Sequence, residues 1–485
     1  MKLVYNVNDK PKFGQLIIFA IQQLLAIMAA TLVVPIIING GVADAIADGN
    51  IAWEFTQQMS PSAALFGAGV GTLVYLLFTK FRSPVFLGSS FAFLGSMAAA
   101  FAGATSMAVG YLGLIIGAAM AGAVYVAIAL AVKFAGVNWL NKLMPPVVIG
   151  PTVAIIGLSL ATNAVGDLQS GEVTKEVITQ VIKDGAIVEK ASQVPVANVF
   201  VCILIGLVTL AVTILCSTFG KKMAKLIPFV LGILAGYAVA AICTIIGFAA
   251  DIPALQVINF GYFSALVEGG VSLSTFISAP DFTFLTALGG FKELNAAYLG
   301  TIAVAYVPVA FVVFAEHVAD HKNISSIIER DLLEDPGLHR TLLGDGVGSA
   351  VGAVFGGCPN TTYGESVACV AITGNASVIT IVAAAVGAIL ISFLTPFVAF
   401  VDSIPPCVMG GVCMALYGFI AVSGLKMVQK VNLEQNKNLF VVSVILIAGI
   451  GGLALNFGAV TITSIATALI LGILTNLMLN KAKEN

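Results

Sequence analysis

The chain has 485 residues, 59% of them hydrophobic and only 9% charged, with a formal net charge of -2. Such a composition cannot clothe two or three soluble domains in a water-facing surface, and a near-neutral total gives no support to a nucleic-acid partner. The chain reads instead as a polytopic membrane protein whose solvent is the lipid bilayer: run after run supplies the ~20 apolar residues that cross a hydrocarbon core as helix.

Taken in order, hydropathy predicts helices over 16–38, 62–79, 91–105, 110–134, 146–162, 196–218 and 226–248, then 298–321, 344–356, 365–374, 377–398, 406–425, 438–456 and 458–480. The first is too long for a removable signal peptide and lacks a convincing cleavage site. Counted as 14 spans, they place both termini on one side, with every Lys and Arg except Lys175, Lys183, Lys190 and Lys292. The positive-inside rule makes that side the cytoplasm. Two longer polar loops, Asn163 to Val196 and Asp251 to Ala297, lie on the other side; the first is a β-hairpin or an ordinary solvated loop. The seven cysteines sit in apolar spans or at a membrane-depth break, so no disulfide framework is implied.

Two stretches break the helical pattern at membrane depth, in corresponding places of the two halves: Ser83-Pro84-Val85-Phe86-Leu87-Gly88-Ser89-Ser90-Phe91 and Gly356-Gly357-Cys358-Pro359-Asn360-Thr361-Thr362-Tyr363-Gly364-Glu365. Irregular backbone survives at that depth only when buried in protein or lining a cavity. Paired Pro/Gly-interrupted short segments point to a transporter's substrate site. A second echo, Pro145-Pro146-Val147-Val148-Ile149-Gly150 against Pro405-Pro406-Cys407-Val408-Met409-Gly410, supports a duplication into two seven-span halves. Because seven is odd, the repeat is inverted.

Three carboxylates stand where acidic residues do not belong. Glu316 and Asp320 are four apart on one helix, so they share a face, and Glu365 opens a short helix of about 15 Å, half the hydrocarbon thickness. An intramembrane carboxylate costs roughly 3 kcal/mol on insertion scales and marks function by default. At the start of the half-helix, orphan N–H groups can donate to a ligand carbonyl, and Gly364 lets a ligand approach the backbone. Two carboxylate acceptors, Glu316 and Glu365, with a cluster of backbone donors complement a flat, uncharged ring whose N–H groups are flanked by carbonyls, as in pyrimidine and purine bases. Phe91 and Tyr363 can pack on the ring. Desolvation and mutual repulsion favour a proton on one of the three acids, so proton symport is expected through Glu316, Asp320 or Glu365, with sodium as the competing ion and no cofactor.

Ala315-Glu316-His317, Asp335-Pro336-Gly337-Leu338-His339-Arg340 and Asn360-Thr361-Thr362-Tyr363-Gly364-Glu365 resemble the nucleobase-ascorbate transporter family, in its bacterial uracil permease branch, and the resemblance extends to Leu87–Phe93 and Pro406–Gly424. It implies an all-α polytopic fold with 14 segments as a 7+7 inverted repeat, short antiparallel strands interrupting segments 3 and 10. It also implies a core (1–135 and 298–400), a gate (136–297 and 401–485) and alternating access between them. Carried over by position, Glu316 and Glu365 bind the base, the amides of Phe91 and Gly364 reach a carbonyl, and Ala30, Tyr363 and Tyr417 line the pocket. Glutamate at 365, where purine-transporting relatives often have glutamine, favours uracil over xanthine and other purines. The resemblance also implies the cytoplasmic membrane of a bacterium and a homodimer. The chain departs from the family's usual pattern at Ser366, Ala368, Gln22-Gln23 and Asp320.

Two rival readings remain open on the sequence. His317 and His321, four apart beside Glu316, have the spacing of two zinc ligands in a membrane-embedded metalloenzyme. An anion carrier of related architecture would want a cation before span 10, where Glu365 stands.

Overall fold

A computed structural model describes residues 3–136, 145–183, 186–221, 223–456 and 461–479. Lys2, Lys142, Lys222, Lys481 and Lys483 of the charge tally lie outside these residues, as do 458–460 and 480 of the last expected span.

The first half runs α1 (Phe13–Ala47), α2 (Pro61–Phe78), strand β1 (Leu87–Ser89), a 3-10 turn at Phe91–Phe93 leading into α3 (Leu94–Ala102), α4 (Met107–Ala135), α5 (Pro146–Ser159) and α6 (Ala161–Asp167). The hairpin β2 (Thr174–Lys183) and β3 (Ala186–Pro195) and helices α7 (Val199–Phe219) and α8 (Pro228–Ala249) complete it. The second half repeats the order with α9 (Ala296–Ile328), α10 (Leu338–Gly356), β4 (Asn360–Thr362), α11 (Gly364–Thr373), α12 (Val378–Ile391), α13 (Thr395–Asp402) and α14 (Pro406–Val428). It ends with α15 (Asn436–Ile450), strands β5 (Leu455–Asn456) and β6 (Thr461–Ile462), and α16 (Ser464–Leu479). Eight of the described helical segments are long and apolar enough to cross a membrane.

Local chemistry accounts for the starts. Ser60 accepts from the Ala63 amide ahead of Pro61, and Ser106, Asn198 and Asn295 cap α4, α7 and α9 in the same way. Pro146 and Pro406 open equivalent helices, as their repeated motif predicts. Where expectation and structure differ, the cause is also local. The expected helix 377–398 stops at Ile391 and restarts at Thr395, because Pro396 has no N–H for the preceding turn. The expected helix 438–456 ends at Ile450, with Gly452 at φ +72°, and strands β5 and β6 occupy the connection to α16. The expected helix 344–356 begins one and a half turns earlier, at Leu338. The loop after Asn163 carries a β-hairpin, pairing Thr174 with Pro195 through Lys183 with Ala186.

The chain divides into two compact units. One holds Met1–Ser159, Ala279–Phe393 and Tyr417–Asn485, and in it α10 lies in contact with both α2 and α4. Glycine permits this: a Cβ at Gly67 would stand 2.4 Å from the Gly352 carbonyl oxygen, and one at Gly122 would stand 2.6 Å from that of Gly346. Between membrane helices, where lipid is as apolar as leucine, such close backbone approach supplies the packing. The N-terminal segment adds a strap, with Val4 N–H donating to the Gly374 carbonyl at 2.8 Å and Ala376 N–H to that of Tyr5 at 2.9 Å. The strap holds the far end of α11. The other unit, Leu160–Ser278 with Leu394–Leu416, packs α7 on α8 and carries the hairpin.

Candidate functional site

The two sequence breaks meet. Strands β1 and β4 pair antiparallel, Leu87 opposite Thr362, Gly88 opposite Thr361 and Ser89 opposite Asn360, and all six residues are buried. Pairing satisfies the irregular backbone that membrane depth would otherwise leave orphaned. Side chains satisfy further backbone groups nearby, since Thr72 Oγ1 accepts from the Leu87 amide at 2.9 Å and Asn360 Nδ2 donates to the Gly67 carbonyl at 3.1 Å.

Each strand feeds a short helix whose start has no side-chain cap, with Ser90 before Phe91 and Tyr363 before Gly364. The first N–H groups, those of Phe91 and Gly364 among them, are therefore available to a ligand. A Cβ built on Gly364 would find only Asp320 Oδ1, at 3.8 Å, within 4 Å. A methyl-sized group fits at that helix start, in ordinary contact with a carboxylate of α9. Asp320 Oδ2 accepts from Thr362 Oγ1 at 2.9 Å. Glu316 stands one turn back along α9, and Glu365 occupies the first turn of α11.

Among the aromatic residues, the rings of Phe91 and Tyr417 meet edge to face with centroids 6.1 Å apart. Tyr363 is placed differently. It is buried, its hydroxyl donates to the Ser89 carbonyl at 2.7 Å, and its ring lies where a Cβ on Gly88 would be, 2.4 Å away. It thus holds β1 in place. Ala30 is buried on α1, next to Thr31, whose hydroxyl reaches the Tyr363 hydroxyl at 3.5 Å.

The departures from the family pattern form a contact of their own. Gln23 Nε2 donates to Ser366 Oγ, which also accepts from the Phe86 amide at 3.0 Å, so α1, the approach to β1 and α11 are joined beside Glu365. Hydropathy and spacing alone do not reveal this contact, because its partners are separated by hundreds of residues.

His317 and His321 are committed to the protein. His317 Nδ1 is 2.7 Å from Asp345 Oδ2 and its Nε2 is 2.9 Å from Thr341 Oγ1. His321 Nδ1 donates to the His317 carbonyl at 2.8 Å, and its Nε2 is 2.7 Å from the Tyr75 hydroxyl. All four ring nitrogens have partners, and among the described residues no three His, Cys, Asp or Glu side chains are grouped to hold a metal. Asp345 is a fully buried acid, although a helix expected over 344–356 puts it at a span end. The start of α10 at Leu338 sets Asp345 two turns inside the helix, between Leu342-Leu343 and Val347.

Residues 14–457 match the model described as the Permease family. The chain belongs to the nucleobase-ascorbate transporter family. It is 37% identical over 482 residues to the uracil permease of Bacillus caldolyticus, covering 99% of this chain and 95% of that one. The uracil permease of Bacillus subtilis (strain 168) is 34% identical over 488 residues, with 100% and 97% covered, and that of Escherichia coli (strain K12) is 33% identical over 470 residues, with 96% and 92% covered. Among solved structures, the permease resembles the murine Slc26a9 anion transporter in its inward-facing state, with TM-score 0.60 at 10% identity over 98% of this chain and 69% of that one. It also resembles the transmembrane domain of the cyanobacterial bicarbonate transporter BicA, with TM-score 0.54 at 16% identity over 97% of this chain and 100% of that one. Those two likenesses concern the fold. The relatives are permeases, so this multi-pass membrane protein is a transporter and not an enzyme.

Proposed function

We propose that this permease imports a nucleobase, uracil, across the bacterial plasma membrane by proton symport, with both termini in the cytoplasm. The observation that carries the reading is the convergence at Gly364 of an uncapped helix start, Glu365 in its first turn and the Asp320 carboxylate, 3.8 Å from the position of a Gly364 Cβ. A uracil ring set there presents N–H groups to the carboxylates of Glu365 and Glu316 and a carbonyl to the amides of Gly364 and Phe91, while the Phe91–Tyr417 pair offers an aromatic wall. The names of the relatives point to the same substrate. Acids this close cannot all stay ionised at low dielectric, so one of Glu316, Asp320 and Glu365 carries the coupling proton. Transport then proceeds by alternating access of the core segments, 1–135 and 298–400, against the gate segments, 136–297 and 401–485.

The test is uptake of labelled uracil into proteoliposomes under an inward proton gradient, with xanthine and hypoxanthine as competitors. Accumulation that collapses with a protonophore and yields to uracil but not to the purines is the expected result. Accumulation that follows a sodium gradient instead, or displacement by xanthine, overturns the coupling or the substrate. Glu365→Gln keeps the side-chain shape but turns an acceptor into a mixed donor and acceptor. Unchanged uracil affinity in that variant removes Glu365 from base recognition.

A further inference from the structure

A cavity of about 1040 Å³ borders α9 and is lined both by segments of the proposed core, with Lys133 and Lys322, and by segments of the proposed gate, with Ile149 and Lys430. On α9 it is lined by Ala315, Val318, Ala319 and Lys322, turned away from Glu316 and Asp320, and by Asn323, which shares the face of Glu316 seven residues before it. Lys322 lies six residues beyond Glu316, about 9 Å further along the helix toward the side where the basic residues gather. Two more lysines reach the cavity from other elements, Lys133 from the end of α4 and Lys430 from just beyond α14. His339 also lines it. Two helix N-termini border it as well: α5 begins at Pro146, and α10 begins at Leu338 after a glycine that gives no side-chain cap. Asp331 and Glu334 are the acidic members of the lining. None of the three lysines forms an ion pair with a carboxylate among the described residues. The remaining wall is apolar and includes Phe314, Ile149 and Met427.

An uncharged ring gains nothing from three ammonium groups, and a bare inorganic anion gains nothing from an apolar wall. We propose that this cavity binds a phosphate-bearing amphiphile, its phosphoryl group among Lys133, Lys322 and Lys430 and its apolar part along Phe314, Ile149 and Met427. Basic pockets between membrane helices at the cytoplasmic side are where anionic headgroups lodge, so an anionic phospholipid of the inner leaflet is the source the position favours. A phosphorylated metabolite from the cytosol shares the chemistry. Either ligand bridges the ends of α4, α9 and α14.

The full chain purified in detergent is titrated with phosphatidylglycerol or phosphatidylcholine and read by native mass spectrometry. In phosphatidylcholine vesicles it is titrated with inorganic phosphate and with a nucleoside monophosphate, read as a thermal shift. The expected result is one retained phosphatidylglycerol and little phosphatidylcholine. Lys133→Gln/Lys322→Gln/Lys430→Gln weakens that retention by on the order of 100-fold, since each lysine near an anionic headgroup is worth a factor of roughly five. The triple arginine variant, which keeps the charges, retains the lipid and controls for folding. Stabilisation by the nucleoside monophosphate without phosphatidylglycerol retention upholds the site and assigns it to a cytosolic ligand. Retention indifferent to the glutamine substitutions, or no response to any of the four probes, overturns the proposal.

Discussion

Thr362 Oγ1 donates to Asp320 Oδ2 at 2.9 Å, tying the strand that precedes Gly364 to the long helix that carries Glu316. A hydrogen bond to a charged group is worth about 1.5–3 kcal/mol, and removing the donor leaves a carboxylate at membrane depth without it. Thr362→Val is expected to lower kcat/KM for uracil uptake by roughly 10-fold or more, and Thr362→Ser to stay near the parent. If the two variants behave alike, this contact does not support transport.

Two glycines at the paired strands make opposite predictions. A methyl at Gly364 meets only Asp320 Oδ1, at 3.8 Å, so Gly364→Ala folds normally but intrudes on the ligand's space. Its purified yield should match the parent while the KM for uptake rises about 10-fold. A methyl at Gly88 meets the Tyr363 ring at 2.4 Å and Thr31 Oγ1 at 2.9 Å. Gly88→Ala should therefore lose folded protein, seen as reduced monodisperse yield from detergent.

The buried His317–Asp345 pair calls for a stability measurement. Removing one member leaves a buried polar group without its partner, a loss of about 1–3 kcal/mol. Asp345→Ala should lower the thermal transition in detergent by several degrees. The double variant Asp345→Leu/His317→Phe, which removes both partners, should recover part of that loss. A double variant no more stable than Asp345→Ala argues against a pairwise origin.

Outside the spans, burial raises the Glu172 carboxyl to about 7, with the Asp402 charge acting in the same direction and the Tyr262 hydrogen bond against it. Its hydroxyl partner lies 3.0 Å away, on the turn at Gly261–Ser264. The unfolded carboxyl titrates near the usual ~4.5, so the protonated form is favoured by the fold. The contribution is complete below about pH 4.5 and is lost as pH rises to about 7. Hydrogen exchange at residues 261–264, corrected for intrinsic rates, should show protection falling across that window. Glu172→Gln should flatten the profile, and an unaltered profile in the variant would exclude Glu172 as its source.

Much of the fold was legible because its signals are local. Ser60-Pro61 and Asn295 mark helix starts through a side chain that reaches an amide three residues on, whereas the expected helix 438–456 runs past the stop at Gly451-Gly452, where backbone freedom ends it. The break at Pro396 was legible in principle, since a proline inside an apolar run ends the helix before it. Asp345 was misplaced because its environment depends on where α10 begins and on His317, which lies on another helix.

By itself the sequence determined the polytopic, mainly helical class and the two Pro/Gly breaks, the second of which holds Glu365, since each follows from composition or from neighbours along the chain. It also placed Glu316 and Asp320 on one helix face, because helical periodicity needs no partner. Only the tertiary structure decided that the breaks pair strand to strand, that Thr362 reaches Asp320, that Tyr363 is spent on holding β1, and that Gln23 and Ser366 meet beside Glu365. Those contacts join residues tens to hundreds of positions apart, and no periodicity of a single chain records which distant group will satisfy a buried hydrogen bond.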